Sequence, residues 1–536
     1  MGAGSVTAAT VKERSSWRLK PPHDQQTQGI VVSGFSRLPA GKALFLHCDG
    51  PQTDADRGPW LQTLMKVAPI TASDGKTDER AAAIAFTWTG LQKTGLSPEA
   101  LATFAAPFRE GMYQEDRLRR LGDKVKDKWQ EPVIDGGPLW SGNIPVSGND
   151  GGREGAMLVT TRMTVHAVLL LYGATVADVQ VWGDEVEQAL APHRIKVVHH
   201  LALDLQLDRD GIGREHFGFA DGISQPIPFG DPSVNSEDTV VLSDGRPAPR
   251  DPWHGVPLGE ILLGHTNAYA EKAPGPLVRD DDRGRAAQLS PQGAPEGFLN
   301  LGLNGSYMVV RELRQYVARF WQSLEDNAAR IRAHDPSATH VTADWLAERI
   351  VGRNIDGHLL CPSGLLAANE HNQPQNAFGF AELDAHGHGC PFGSHVRRAN
   401  PREGLARNLA SAPALLDAVN NHRILRRGRK YGTTATDRRI DDGTERGLLF
   451  ICLNADIARQ FEFIQQTWLL NKNFATLYDE TDPLMGPKGR FTIPEPPLRR
   501  IVDVQTFIQL AGGEYFFLPS LPALRYMSSL LVSFAF

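Results

Sequence analysis

Three segments set polar side chains in apolar or glycine-rich surroundings, where carboxylates, imidazoles and guanidinium groups acquire useful chemistry. The first is Glu215-His216-Phe217-Gly218-Phe219-Ala220-Asp221-Gly222-Ile223-Ser224-Gln225-Pro226. A carboxylate between Ala220 and Gly222, with Phe219 nearby, is expected to be partly desolvated, which raises its pKa toward values suited to proton transfer. Taken alone, Asp221-Gly222 is also an ordinary hairpin-turn signal. The second segment runs Cys390-Pro391-Phe392-Gly393-Ser394-His395-Val396-Arg397-Arg398-Ala399-Asn400-Pro401-Arg402. A histidine backed by several arginines suits a haem, the imidazole taking the iron and the guanidinium groups meeting the propionates. His386 and His388, in the glycine-rich stretch just upstream, read as loop residues. The third segment is His422-Arg423-Ile424-Leu425-Arg426-Arg427-Gly428-Arg429-Lys430-Tyr431-Gly432, a basic run that by itself reads as solvated surface or an anion contact.

The elements that must position these groups are short apolar runs. Ala43 to Leu46, Ala85 to Thr89, Ala156 to Met163 and Val197 to Leu205 read as strands of the first half. The stretch Ser97 to Met112 has the composition of one helix, with a serine N-cap and a glycine stop. Order resumes at Asn304 to Val310, followed by Leu313, Val317, Phe320 and Leu324 at helical spacing. Gly447 to Leu453 is a further strand, and behind it Phe461, Ile464 and Trp468 are expected to share one helical face. The chain therefore reads as α+β in two similar halves. Its expected organisation is a flexible tail at 1–27, a first domain at 28–226, a long connection at 227–297 and a second domain at 298–536. The connection is dense in Pro, Gly, Asp and Arg, which makes it functional or partly disordered.

With 536 residues the chain is long enough for two cores, and 41% hydrophobic with 22% charged residues is a globular composition. The net charge of −6 argues against a nucleic-acid surface. Cys48, Cys361, Cys390 and Cys452 stand far apart, without CxxC or CxxCH, which fits neither a zinc site nor covalent haem attachment. Isolated thiols suit a reducing compartment. No signal peptide is legible in the first residues, and no apolar stretch reaches bilayer-spanning length, so a cytoplasmic protein without membrane contact is expected.

Together and in this order the three segments resemble the dye-decolorizing (DyP-type) haem peroxidases. The GxxDG motif stands as Gly218 to Gly222, the proximal-histidine segment as Cys390 to Arg402, and the distal-arginine segment as Arg426 to Gly432. Supporting phrases, among them AFTWTGLQKTGL, NGSYMVVREL, GLLFICLNADIARQFEFIQQTW and GGEYFFLPS, extend the likeness from about Gln28 to Ser520. The long chain is most similar to the larger, cytoplasmic bacterial members.

The resemblance implies a pair of ferredoxin-like domains of the dimeric α/β-barrel type, antiparallel sheets with peripheral helices. One non-covalent haem b (iron protoporphyrin IX) per chain would lie mainly in the C-terminal domain. It implies His395 as the proximal iron ligand, Arg397 or Arg398 at a propionate, and Phe219 and Gly222 against the cofactor. Asp221 and Arg426 would be the distal catalytic pair, with Leu448 and Phe450 as the apolar distal wall. Tyr431 would be a surface electron relay. Glu462 or Asp482 would be the acidic partner of the histidine. Some bacterial members carry an asparagine where this chain has Gly428, and the surrounding Arg-Gly-Arg-Lys is unusually basic. The implied activity is reduction of hydrogen peroxide with one-electron oxidation of dyes, phenols or other aromatic donors, by a monomer or homo-oligomer. The competing readings are haem binding or iron handling without turnover, other haem chemistry, and an anion-binding module resting on RRGRK alone.

Overall fold

The apolar run at Ala43 lies inside a strand, β1 (Ala40–Cys48), buried along nearly its whole length. A computed structural model of the chain describes residues 17–49, 60–75, 79–126, 128–142, 163–207, 212–280, 288–369 and 374–530. After β1 come helix α1 (Trp60–Val67), β2 (Arg80–Phe86), β3 (Ala167–Gly173), α2 (Val176–Leu190) and β4 (Ile195–Asp204). The strands pair antiparallel in the order β4-β1-β3-β2, with both helices on one side, which is the ferredoxin-like arrangement. β3 is missing from the sequence-based expectation, although its continuous Val-Leu-Leu-Leu is what a strand covered on both faces requires. The expected strand at 156–163 falls almost entirely outside the described residues.

The second half repeats the plan with β5 (Ser306–Gln315), α3 (Val317–His334), α4 (Ala343–Val351), the short α5 (His395–Ala399), β6 (Arg429–Tyr431), β7 (Gly447–Asn454) and β8 (Ile508–Leu518). Their order is β6-β7-β5-β8, again antiparallel. Leu313 belongs to β5, so the expected helical stripe begins at Val317. The halves join edge to edge, β2 to β8 at Phe86↔Phe517 and β4 to β6 at Asp204↔Lys430 and Leu203↔Tyr431. The ring of pairings thereby closes into a barrel, which removes exposed sheet edges.

Alternation along the strands sorts the core into two layers. Ala43, Phe45, Val168, Leu170, Met308, Val310, Leu449, Ile451 and Phe516 pack inside the barrel. Leu44, Leu46, Leu169, Val309 and Phe517 face outward under α1, α2 and α3, meeting Leu64, Trp182 and Phe320. The connection after Pro226 is ordered over most of its length: Val256, Leu258, Ile261 and Leu262 are buried in the interior layer together with Ile30 to Val32. Order also begins earlier than residue 28, because Trp17 and Leu19 are buried.

Two further expectations need correction. The stretch 97–112 forms two short helices, Pro98–Ala102 capped by Ser97 and Ala106–Glu110 stopped by Gly111 at φ +77°. Pro107 lacks the N–H that a continuous helix would use. The segment carrying Phe461, Ile464 and Trp468 is π-helical, with Glu462 N–H bonding Ile457 O at 2.9 Å and Leu470 N–H bonding Gln465 O at 3.0 Å. The wider turn splits the expected face: Phe461 joins the outer layer, while Ile464 and Trp468 pack with Val419 and Phe474.

Candidate active site

Alternation on β5 and β7 turns Leu313, Gln315, Leu448 and Phe450 away from the barrel interior and into a cavity of about 850 Å³. The facing wall carries His395, Val396, Ile464, Leu469, Leu484 and Met485, and the loop from Gly213 to Gln225 closes one side. The cavity brings together Phe219, Asp221, Gly222, His395, Arg426, Leu448 and Phe450, seven of the residues singled out in the sequence.

His395 opens α5 and keeps 31% of its side-chain surface accessible, toward the cavity that it lines. Its Nδ1 lies 2.9 Å from Asp482 Oδ2. Burial opposes a charge on the imidazole, but the Asp482 carboxylate outweighs it and holds the group above its usual range. Asp482 Oδ1 accepts the N–H groups of Leu484 at 2.9 Å and Met485 at 2.8 Å, which fixes the carboxylate. The acidic partner is thus Asp482. Glu462 instead pairs with Arg117 and accepts the Tyr515 hydroxyl at 2.8 Å.

Across the cavity, Asp221 Oδ1 lies 3.5 Å from Arg426 Nη1 and accepts the Gly222 N–H at 2.6 Å. The carboxylate is partly covered, its side chain being 39% accessible. Its loop is shaped from within. Glu215 accepts the N–H groups of Phe217 and Phe219 at 2.8 Å and Gln315 Nε2 at 2.7 Å. Burial pushes the Glu215 carboxyl up, and these three donors pull it back part of the way. Gly218 sits at φ +105°, where a Cβ would strike the Arg438 guanidinium at 2.0 Å. Arg426 is held by its backbone N–H, which donates to Gln225 Oε1 at 3.0 Å.

Other expectations are overturned. Neither Arg397 nor Arg398 lines the cavity. Arg397 is spent on Asp384 and the Cys390 carbonyl between Phe380 and Phe392, and Arg398 on the carbonyls of Trp468, Asn471 and Glu480. On a one-turn helix, positions two and three beyond His395 point back into the protein. Tyr431 is not a surface residue: it is 4% exposed and packs in the interior layer. The basic run is not solvated either. Arg427 donates to the carbonyls of Ile30 and Val31, and Arg429 to those of Gly34, Phe35 and Leu38. At Gly428 a Cβ would lie 2.6 Å from Leu449 O, so an asparagine has no room there.

Sequence reasoning gave no role to two of the buried cations that line the cavity, Arg423 and Arg353. Arg423 is buried, with only long contacts to the Trp253 carbonyl at 3.3 Å and Ser224 Oγ at 3.4 Å. Burial, then the neighbouring Arg426, pushes its guanidinium down to about 10. Arg353 lines the same wall and donates to Gly357 O at 2.6 Å and Asn376 Oδ1 at 2.7 Å. Arg423 stood within the third quoted segment; Arg353 had no motif to mark it. Among the described residues no cluster of His, Cys, Asp and Glu could hold a bare metal ion, no helix could cross a membrane, and the four thiols are buried and unpaired.

No family model matches the chain. The dye-decolorizing peroxidase msp1 of Mycetinis scorodonius is 30% identical over 438 residues, covering 76% of this chain and 74% of its own length. The multifunctional dye peroxidase DyP2 of Amycolatopsis is 31% identical over 381 residues, 68% of this chain and 71% of its own. Among solved structures, a DyP-type peroxidase of Anabaena superposes with a TM-score of 0.66 at 22% identity, over 95% of this chain and 94% of that one. A dye-decolorizing peroxidase in complex with 2,6-dimethoxyphenol gives 0.65 at 22% identity, over 96% of this chain and 100% of that one.

Proposed function

The chain belongs to the dye-decolorizing peroxidases, and on that premise we propose that His395 is its iron ligand and Asp221 with Arg426 its distal catalytic pair. It is a haem peroxidase acting on hydrogen peroxide with dyes and phenols as electron donors. We assign the haem as haem b, one per chain and non-covalent, since among the described residues no cysteine lines the cavity. The residues present fit that group. With Nδ1 engaged by Asp482, His395 has Nε2 left for iron. Leu448 and Phe450 offer an apolar face, and Arg353 and Arg423 take over the propionate role first expected of Arg397 and Arg398. A division into two ferredoxin-like halves, the first reaching back to the buried Trp17, and a cytoplasmic location belong to the same proposal.

Haem, when bound, supplies the iron at which peroxide is reduced and the oxidising equivalents passed to the donor. Asp221 takes the proton from the inner oxygen of the incoming peroxide and delivers one to the outer oxygen, which leaves as water. The permanently charged Arg426 guanidinium stabilises the negative charge that develops as the O–O bond breaks.

The observation that carries the proposal is the Asp221–Arg426 pair, 3.5 Å apart, on the same cavity as a histidine backed by a buried carboxylate. Storage of haem needs no such pair. Rapid-mixing spectra of the haem-loaded protein with peroxide test it. Arg426→Leu should keep its haem and react on the order of 10²–10³-fold more slowly, whereas His395→Ala should lose stable haem binding. An unchanged peroxide rate in Arg426→Leu would overturn the assignment.

A further inference from the structure

We infer that His216 and Gln225 are positioning residues that hold Asp221 at its working distance from Arg426, an inference that rests on the distal-pair reading above. The Asp221 carboxylate is held by the N–H of its own neighbour Gly222 at 2.6 Å, which moves with the loop, and by the guanidinium only at 3.5 Å. Its place is therefore inherited from its backbone. The middle of the loop is tied to Ile355 O by the Ala220 N–H at 3.0 Å and to the loop's own start by the Asp221 N–H on Gly213 O at 2.8 Å. Neither tie reaches the segment that carries Arg426.

Besides a long contact of Arg426 Nη2 to the Ser224 carbonyl at 3.5 Å, two short ties do, one on each side of Asp221. His216, 3% exposed, places Nε2 at 2.8 Å from the Tyr431 carbonyl oxygen. That oxygen only accepts, so Nε2 carries the hydrogen. Gln225 Oε1 accepts the Arg426 backbone N–H at 3.0 Å. Tyr431 and Arg426 bound one short segment locked onto β7 by Arg426↔Cys452, Lys430↔Leu448 and Tyr431↔Gly447. The loop thus hangs between two staples on the strand pair that bears the arginine. Loss of either frees Asp221 to shift relative to Arg426 while leaving His395 and the facing wall of Ile464, Leu469, Leu484 and Met485 untouched. A displacement of about 1 Å is enough to cost on the order of 10²-fold in rate.

The test compares His216→Leu, His216→Gln, Gln225→Leu and Asp221→Asn as haem-loaded proteins. The readouts are haem content, peroxide rate, KM for a phenolic donor, and cyanide association with the ferric haem, which requires HCN to lose its proton beside Asp221. Full haem content with peroxide and cyanide rates about 10- to 100-fold lower is expected for both leucine variants. The donor KM should stay as in the parent. Gln at position 216 keeps an N–H at similar reach and should restore most of the rate. Parent-like rates in Gln225→Leu, or equal loss in the Gln and Leu variants at 216, would overturn the inference. If Asp221→Asn itself reacts like the parent, the distal-pair reading fails instead, so the two failures are separable. Should His216→Leu not fold, Gln225→Leu decides alone.

Discussion

At the residue scale the proximal side turns on which acid reaches His395. Asp482 and Glu462 looked equivalent in the sequence, because nothing local says which carboxylate comes home to a histidine 87 or 67 positions away. The fold decides it: Asp482 is pinned by the Leu484 and Met485 N–H groups and aims its other oxygen at Nδ1, while Glu462 is consumed by Arg117 and Tyr515. An acceptor on Nδ1 gives the imidazole more electron density to donate through Nε2. Asp482→Asn should therefore raise the reduction potential of the bound iron and weaken activity or haem retention by about 10- to 100-fold. Spectroelectrochemical titration measures the first effect. Glu462→Gln should leave the potential where it was and only lower stability, so a matching rise there would show that the carboxylates act through their charge alone.

At the element scale, the motif residues that line the cavity were legible and the role of the basic run was not. Asp221, His395 and Arg426 each sit in short phrases whose neighbours fix the local backbone, such as Gly218 and Gly222 at positive φ. Arg427 and Arg429 look like surface charge because their partners, the carbonyls at 30–39, lie nearly four hundred positions away. No local pattern encodes such a contact. Likewise a 3.6-residue periodicity cannot anticipate the π-helical turns after β7. The role found for Arg429 has a consequence. Its guanidinium serves four carbonyls, those of Gly34, Phe35, Leu38 and Pro39, and stacks on Tyr172. Each buried carbonyl left without a donor costs about 1–3 kcal/mol. Phe35 O and Pro39 O keep the N–H groups of Leu38 and Leu205, so Arg429→Met strips the Gly34 and Leu38 carbonyls and should lower unfolding free energy by roughly 2–4 kcal/mol, measured by denaturant unfolding. A loss below about 1 kcal/mol would mean that water reaches those carbonyls.

At the scale of the molecule, the two α+β halves were visible as strand-then-helix runs, but the closure of the barrel was not. It depends on two edge pairings, Phe86↔Phe517 and Leu203↔Tyr431, between residues separated by hundreds of positions. The closed barrel and the connection packed on it bury histidines as neutral groups, which lowers the stability of the fold in acid. Burial pushes His265 down to about 4 and His166 down to about 3. His166 must stay neutral on one side in any case, because Nδ1 accepts the Cys48 N–H at 2.8 Å. In the unfolded chain both titrate near 6.5. Below that pH the unfolded state binds protons that the folded state refuses, so stability rises with pH between the folded and unfolded values and falls as pH drops through the same window. A histidine lowered from 6.5 to about 4 contributes a loss of about 3 kcal/mol once the pH is below both values. Thermal unfolding followed between pH 7 and pH 4 should show a steep fall. In His265→Gln and His166→Gln the curve should start lower, because each loses a native hydrogen bond, but it should fall less steeply between pH 6 and pH 4. Curves parallel to the parent across that interval would show that the buried carboxylates, and not the histidines, govern acid unfolding.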